Sequence, residues 1–374
     1  MQSNAFGLIY TGESNQALRD LTYSRSIAAM PFAGRYRCID FILSSMVNTG
    51  ISNVGVIAQR NYHSLMDHLG SGKEWELRRK QDGLFVLPPF VTRENTGIYA
   101  GTVDALRSVM GYIRRSTQRY VIFTGSHTLY NTTFDDMLAQ HIETGADITI
   151  MYNETPPYEA ADQYYDLRLK MGAEGRITDM ELNPYRASTN NTSCDAFVME
   201  RTLLEYLVEE ASARGFTDFI LQVLLKRLES LRIYGWKYEG YVARLNSLNS
   251  FFQHNMATLQ PEVMRDLFNP KHPVFTKIKD EAPAKYGKNA QVRNSMVADG
   301  CIIDGTVENS IIFRGVHVAE GAKVSDSIIM QGSEVQADCA LNFVILDKGV
   351  TVRGGRKLAG YDSFPIIARK NSVI

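Results

Sequence analysis

Phosphate chemistry, acyl transfer and metal binding each demand a particular spacing of residues, and this chain offers few complete sets. Gly70, Ser71, Gly72 and Lys73 form a GSGK run. A phosphate-cradling P-loop needs a glycine five residues before its Gly-Lys pair and a Ser or Thr after it, so the run reads as an ordinary loop. Cys38, Cys194, Cys301 and Cys339 lie far apart with no CxxC or ligand-like spacing, the pattern of reduced core thiols. The histidines form no HxxxH pair, so a dedicated transition-metal site is not expected. What remains is a set of separate polar groups. His127 is read as hydrogen-bonded near a strand end, Asp40 as a carboxylate supporting a helix N-terminus through the helix dipole, and His317 is the only histidine of residues 289–374.

The elements that would position such groups begin with residues 6–57. They read as a buried strand at 6–10, a long polar loop, a helix at about 39–48 and a second buried strand at 53–58, the opening of an α/β fold. In such folds the loop after the first strand sits at the carboxyl edge of the sheet, where ligands bind. Here that loop is not glycine-rich. Residues 101–115 carry apolar positions at Val103, Leu106, Val109, Met110 and Ile113, which predicts one amphipathic helix. Strands at 119–125 and 147–152 flank a helix at 133–144, supporting a mostly parallel, doubly wound sheet. Residues 167–182 read as an antiparallel excursion, 202–213 and 216–230 as helices, and 231–242 as a returning strand.

Beyond residue 288 the period changes. Val292, Val297, Ile302, Val307, Ile312, Val318, Val324, Ile329 and Val335 recur every five or six residues with Gly, Asn, Asp or Ser between them. This is a hexapeptide repeat, predicting a left-handed parallel β-helix whose flat edges favour oligomerisation. The expected organisation is an α/β domain at 1–248, a connecting helix and linker at 249–288, and the β-helix at 289–374. Composition agrees with a soluble globular protein, and a net charge of −1 offers no footprint for nucleic acid or anionic membrane. With no cleavable signal and no apolar run near the roughly 18 residues that span a bilayer, the expected compartment is the cytoplasm.

The run LTYSRSIAAMPFAGRYRCIDFILSSMVNTGI, residues 21–51, closely resembles the first segment of the sugar-1-phosphate nucleotidyltransferases, and most closely glucose-1-phosphate adenylyltransferase. The resemblance continues along the whole chain and fails where that family carries its chemistry. Attack on the α-phosphorus of ATP spreads negative charge over several oxygens, so the catalyst must supply fixed cations, with Mg²⁺ on carboxylates. The family's GGxGTRL loop aligns with Gly12, Glu13, Ser14, Asn15, Gln16, Ala17 and Leu18, so Ala17 removes the arginine. Ile27 replaces the lysine of KPAV, and Ser126 replaces the aspartate of GDH. Arg244 stands where WRDVGT supplies the second metal aspartate, and the EKP lysine is missing from Glu181, Leu182, Asn183 and Pro184.

The resemblance therefore implies a non-catalytic, regulatory subunit type with no metal of its own, Mg²⁺ belonging to a catalytic partner in a hetero-oligomer, a tetramer by family analogy. Gly12, Gly101, Thr102 and Asp104 retain the outline of a nucleotide pocket, and Gln59 is family-like too. Arg25, Arg37 and Lys348 stand where the family contacts effector phosphates, which implies a phosphorylated sugar or nucleotide effector; the alternative is surface charge or intersubunit salt bridges. Two other activities are compatible with parts of the chain: a competent nucleotidyltransferase, and a hexapeptide acyltransferase using His317.

Overall fold

The computed structural model describes residues 4–12, 16–89, 98–155 and 166–374. Strand β1 (Ala5–Tyr10) is buried along its whole length, as an apolar run at the centre of a parallel sheet must be. A short hairpin, β2 (Pro31–Phe32) and β3 (Tyr36–Arg37), leads into helix α1 (Cys38–Asn48). Asp40 closes that helix's first turn, its Oδ2 accepting the Arg37 backbone N–H at 2.9 Å, as its place near the N-terminus predicts. The chain continues through β4 (Asn53–Ile57), α2 (His63–Leu69), β5 (Gly83–Leu87), α3 (Thr102–Ser108), α4 (Met110–Arg115) and β6 (Tyr120–Thr124). Then come β7 (Thr128–Leu129), α5 (Asp135–Thr144), β8 (Ile148–Glu154), the hairpin β9 (Leu167–Met171) and β10 (Ile177–Leu182), and the long β11 (Asn191–Glu200). Helix α6 (Arg201–Ala213), β12 (Ile233–Lys237), β13 (Ala243–Arg244), α7 (Leu248–Ala257) and α8 (Pro261–Leu267) complete this half.

Strands β5, β4, β1 and β6 lie parallel in that order; β11 joins β6 antiparallel, and β8 and β12 follow beyond β11. The β9–β10 hairpin is the antiparallel excursion expected at 167–182. Apolar residues of α3, α4 and α6 cover one face (Val103, Ile113, Leu207), and those of α1, α2 and α5 the other (Ile42, Leu65, Met137). The sheet is thus mostly parallel and doubly wound. Two segments depart from the sequence reading. The single helix expected at 101–115 breaks at Val109, whose φ of −101° and ψ of 13° lie outside the helical well. Around 216–230 the expected helix is a π-helical turn at Phe219–Leu224 followed by a 3₁₀ turn at Leu225–Arg227. There Gln222 Oε1 accepts the backbone N–H groups of Thr217 and Asp218, and Asp218 accepts that of Leu221, side-chain bonds that compete with regular helical ones.

The C-terminal region, residues 285–374, holds three parallel sheets of five short strands each, β14 (Lys285–Tyr286) to β28 (Ile366–Ala368), consistent with a left-handed β-helix. Val292, Val307, Val324, Leu341 and Leu358 stack in register as one inward ladder. Ile302, one of the recurring aliphatic positions, faces outward at 42% exposure; its neighbour Ile303 is fully buried and forms a second ladder with Val318 and Val335. Successive strand residues point to opposite faces, so only one of two adjacent isoleucines can fill the coil.

The third sheet resolves the remaining isoleucine pairs differently. Ile312, Ile329 and Leu346 fill the coil, while Ile311, Ile328 and Ile345 pack outward with Leu18, Phe32, Phe41, Phe251 and Phe252 of the α/β half. One apolar core therefore joins the two halves. Asn255 Oδ1 reinforces the junction by accepting Ala33 N–H at 3.1 Å, and Arg369 pairs with Asp20 at 2.8 Å.

Candidate functional site

Two places gather polar groups. The first is the carboxyl edge of the sheet. Thr102, Gly125 and Asp195 meet Tyr10, Phe123, Phe197, Phe219 and Ile220 there around a cavity of only about 10 Å³, room for one water. Tyr10 donates its hydroxyl to the Gly12 carbonyl at 3.1 Å, and a Cβ on Gly12 would meet Gln59 Oε1 at 2.3 Å. Gly101 packs against the Thr217 carbonyl, 2.4 Å from where a Cβ would stand. Asp104 Oδ2 accepts the Ala100 N–H at 3.0 Å, and Gln59 donates to the Tyr99 carbonyl at 3.1 Å. Gly12, Asp104 and Gln59 thus each have a local structural bond, and Gly101 a close backbone approach. Glu13, Ser14 and Asn15 lie outside the described residues, as do the side chains of Gln16 and Ala17. Ile27 is buried in the apolar core at the junction.

Ser126 is wholly buried, and His127 Nδ1 lies 3.5 Å from Asp195 Oδ2. Strand β7 pairs with β13, which brings Arg244 opposite Thr128. Its guanidinium donates to Thr155 Oγ1 (3.1 Å), to the Thr192 and Ser193 carbonyls (3.2 Å each) and to Asn153 Oδ1, tying the ends of β8 and β11 to β13. The Arg244 backbone N–H donates to His254 Nε2 at 3.3 Å, so His254 carries its proton on Nδ1, facing the Tyr241 oxygen at 2.7 Å. Burial, with Arg244 adding to it, pushes the His254 imidazole down to about 4. The corner thus presents the Ser126 hydroxyl and the Arg244 guanidinium at the two positions that align with the family's metal aspartates, with the Asp195 carboxylate 3.5 Å from His127. Among the described residues no three His, Cys, Asp or Glu side chains gather closely enough to hold a metal.

The second place is a cleft at the junction of the halves. It is lined by Arg35 and Arg37 of the β2–β3 hairpin, Lys277 and Lys279 of the linker, Arg314 and Lys348 of the β-helix, and His68 of α2. Arg37 is held by Ser64, donating to its carbonyl at 2.6 Å and its hydroxyl at 3.0 Å. His68 Nε2 sits 2.5 Å from Asp40 Oδ1, with the ring edge-on to Trp75. Cations converging from three separate segments suit an anion with more than one charged group.

Of the three cations singled out from sequence, Arg37 and Lys348 line this cleft. Arg25 is committed elsewhere. Its guanidinium grips both oxygens of Asp347 at 2.7 and 2.6 Å, with both side chains almost fully buried. Lys277, Lys279, Arg35, Arg314 and His68 were missed. Lys277 and Lys279 had a readable signal, since alternate lysines on an extended linker share a face; Arg314 had none. His317 lies on the outer face of the first β-helix sheet, half exposed and 3.5 Å from Asp304.

A mostly parallel, doubly wound sheet followed by a hexapeptide coil defines a class, and residues 6–240 match the nucleotidyl transferase family, to which the chain belongs. Residues 281–364 match the GlmU-like C-terminal hexapeptide family. The chain is 37% identical to the glycogen biosynthesis protein GlgD of Bacillus subtilis, with 98% of this chain and 96% of that protein covered. It is 38% identical to GlgD of Geobacillus stearothermophilus over 87% of this chain and 84% of the relative. It is 29% identical to the glucose-1-phosphate adenylyltransferase of Bacillus cytotoxicus, covering 95% and 94%.

Proposed function

We propose that the chain is a regulatory, non-catalytic subunit of a glucose-1-phosphate adenylyltransferase, acting in bacterial glycogen biosynthesis through a catalytic partner in a heterotetramer. The relatives' names support the glycogen step. The observation that carries the non-catalytic part is Arg244, a cation bonded into the strand ends where the chemistry requires a carboxylate for Mg²⁺. Magnesium then acts only in the partner. The cationic cleft receives a phosphorylated sugar or nucleotide effector, and the chain changes its partner's behaviour by binding the partner's active conformation more tightly than the inactive one.

The test is ADP-glucose formation from ATP and glucose 1-phosphate with Mg²⁺, for this chain alone, the partner alone and the two co-expressed. The expected result is no turnover alone and an altered rate, affinity or effector response of the partner. Robust Mg²⁺-dependent turnover by this chain alone would overturn the reading.

A further inference from the structure

The cleft at the junction crowds its charges. Around Lys348 stand Arg35, Tyr36 and Arg37 from the hairpin, His68 from α2, Lys277 and Lys279 from the linker, and Arg314 and Gln331 from the β-helix. The carboxylates nearby are already engaged. Asp40 is shared between His68 and the Arg37 backbone, Asp347 holds Arg25, and Asp299 holds Arg314 at 3.2 Å. Asp67 takes Lys277 on its backbone carbonyl, and Glu281 acts on Lys279 from further along the linker.

Like charges gathered in a half-closed space repel, and the repulsion is relieved if one group gives up its proton. Guanidinium groups do not do so in proteins, which leaves the ammonium groups and the His68 imidazole, the latter already held against Asp40. Lys279 is exposed and Lys277 half-buried on a backbone carbonyl; Lys348 is the lysine that reaches the cleft from the β-helix wall, directly after the buried Asp347. We propose that the cleft takes up a proton together with its anion, Lys348 being neutral in the empty cleft and charged in the filled one. The proposal rests on the reading of this cleft as an anion site. Burial, followed by Arg37 and Arg25, pushes the Lys348 ammonium down to about 6, and Lys279 is lowered for similar reasons.

The sign follows from linkage. Below about pH 6 Lys348 is already protonated in the empty cleft, so binding takes up no proton there and affinity is flat. Above that, each bound anion must recruit a proton, and affinity falls by up to about tenfold per pH unit. Acid conditions would thus sensitise the chain to its effector.

The probe is inorganic sulfate, whose own charge is constant over this range, titrated calorimetrically into the full chain in buffers of different ionisation enthalpy. Near neutral pH the expected uptake approaches one proton per bound anion, and the affinity slope appears between about pH 6 and 8. K348R, which keeps the charge and cannot release it, is expected to bind with no slope. Binding without proton uptake would overturn the proposal and leave the anion site standing, whereas no binding at any pH would remove the anion site itself. A slope that persists in K348R would assign the proton to another group of the cleft, His68 or Lys279, and also overturn it. Should K348R fail to fold, the wild-type slope and buffer dependence carry the test.

Discussion

At the scale of single residues, Arg244 shows how one guanidinium can tie several strand ends together. Its guanidinium satisfies strand-end groups of β8 and β11 that would otherwise need other donors. Removing it leaves those acceptors unpaired in a half-buried site, which costs about 1–3 kcal/mol. R244A is therefore expected to lower the midpoint of denaturant unfolding without changing its slope, and an unchanged midpoint would remove this role. The residue beneath it predicts a pH effect. His254 is neutral in the folded chain down to about 4, whereas an unfolded histidine protonates near 6.5. The unfolded state thus binds more protons between those values, and stability falls as pH drops through that window by up to about 1.4 kcal/mol per unit from this group. His68 and His141 are lowered too and act in the same direction. Unfolding curves of H254Q are expected to show a shallower pH slope than those of the parent chain.

Elements show where sequence reading succeeds and why it stops. The opening strand, α1 and β4 were legible because apolar runs of strand length alternate with a capped helix, and local pattern agrees with burial. The position of Ile302 was not, because a five-to-six-residue period tolerates a shift of one and the pair Ile302–Ile303 satisfies it either way; only register with Val318 decides. The break at Val109 was hidden because both halves of the segment keep the same apolar face. Arg25 was read as an effector contact or a surface or intersubunit charge; the structure pairs it inside the chain with Asp347, 322 residues away, a partner that no local pattern announces. At the carboxyl edge the family resemblance marked which positions depart from its motifs, but not that Thr155, Ser193 and His254 would surround Arg244. The linker is the element whose role is most open to measurement. K277A/K279A is expected to weaken sulfate binding and its salt dependence while leaving thermal unfolding nearly unchanged, because neither ammonium is buried in the core.

For the whole molecule, the Arg25–Asp347 pair fastens the loop after β1 to the β-helix turn that carries Lys348 into the cleft. A buried charge left alone is far costlier than the pair is favourable, so R25A or D347A is expected to lose about 3–5 kcal/mol of stability, and R25M/D347L far less. Unfolding midpoints of the three variants check this, and equal losses in all of them would show that the pair contributes by packing alone.

The shared core has one further consequence, in time rather than space. During synthesis the α/β half leaves the ribosome first, and Phe32, Phe41, Phe251 and Phe252 must wait for Ile311, Ile328 and Ile345 before they are covered. At translation speeds of about 5–20 residues per second that interval lasts roughly 5–20 seconds for Phe252 and roughly 15–60 seconds for Phe32 and Phe41. The nascent chain accordingly presents a sticky patch for its whole duration. A protein cut short within the linker should then be a client of chaperones, and a slow codon run before residue 311 should lower the yield of folded chain.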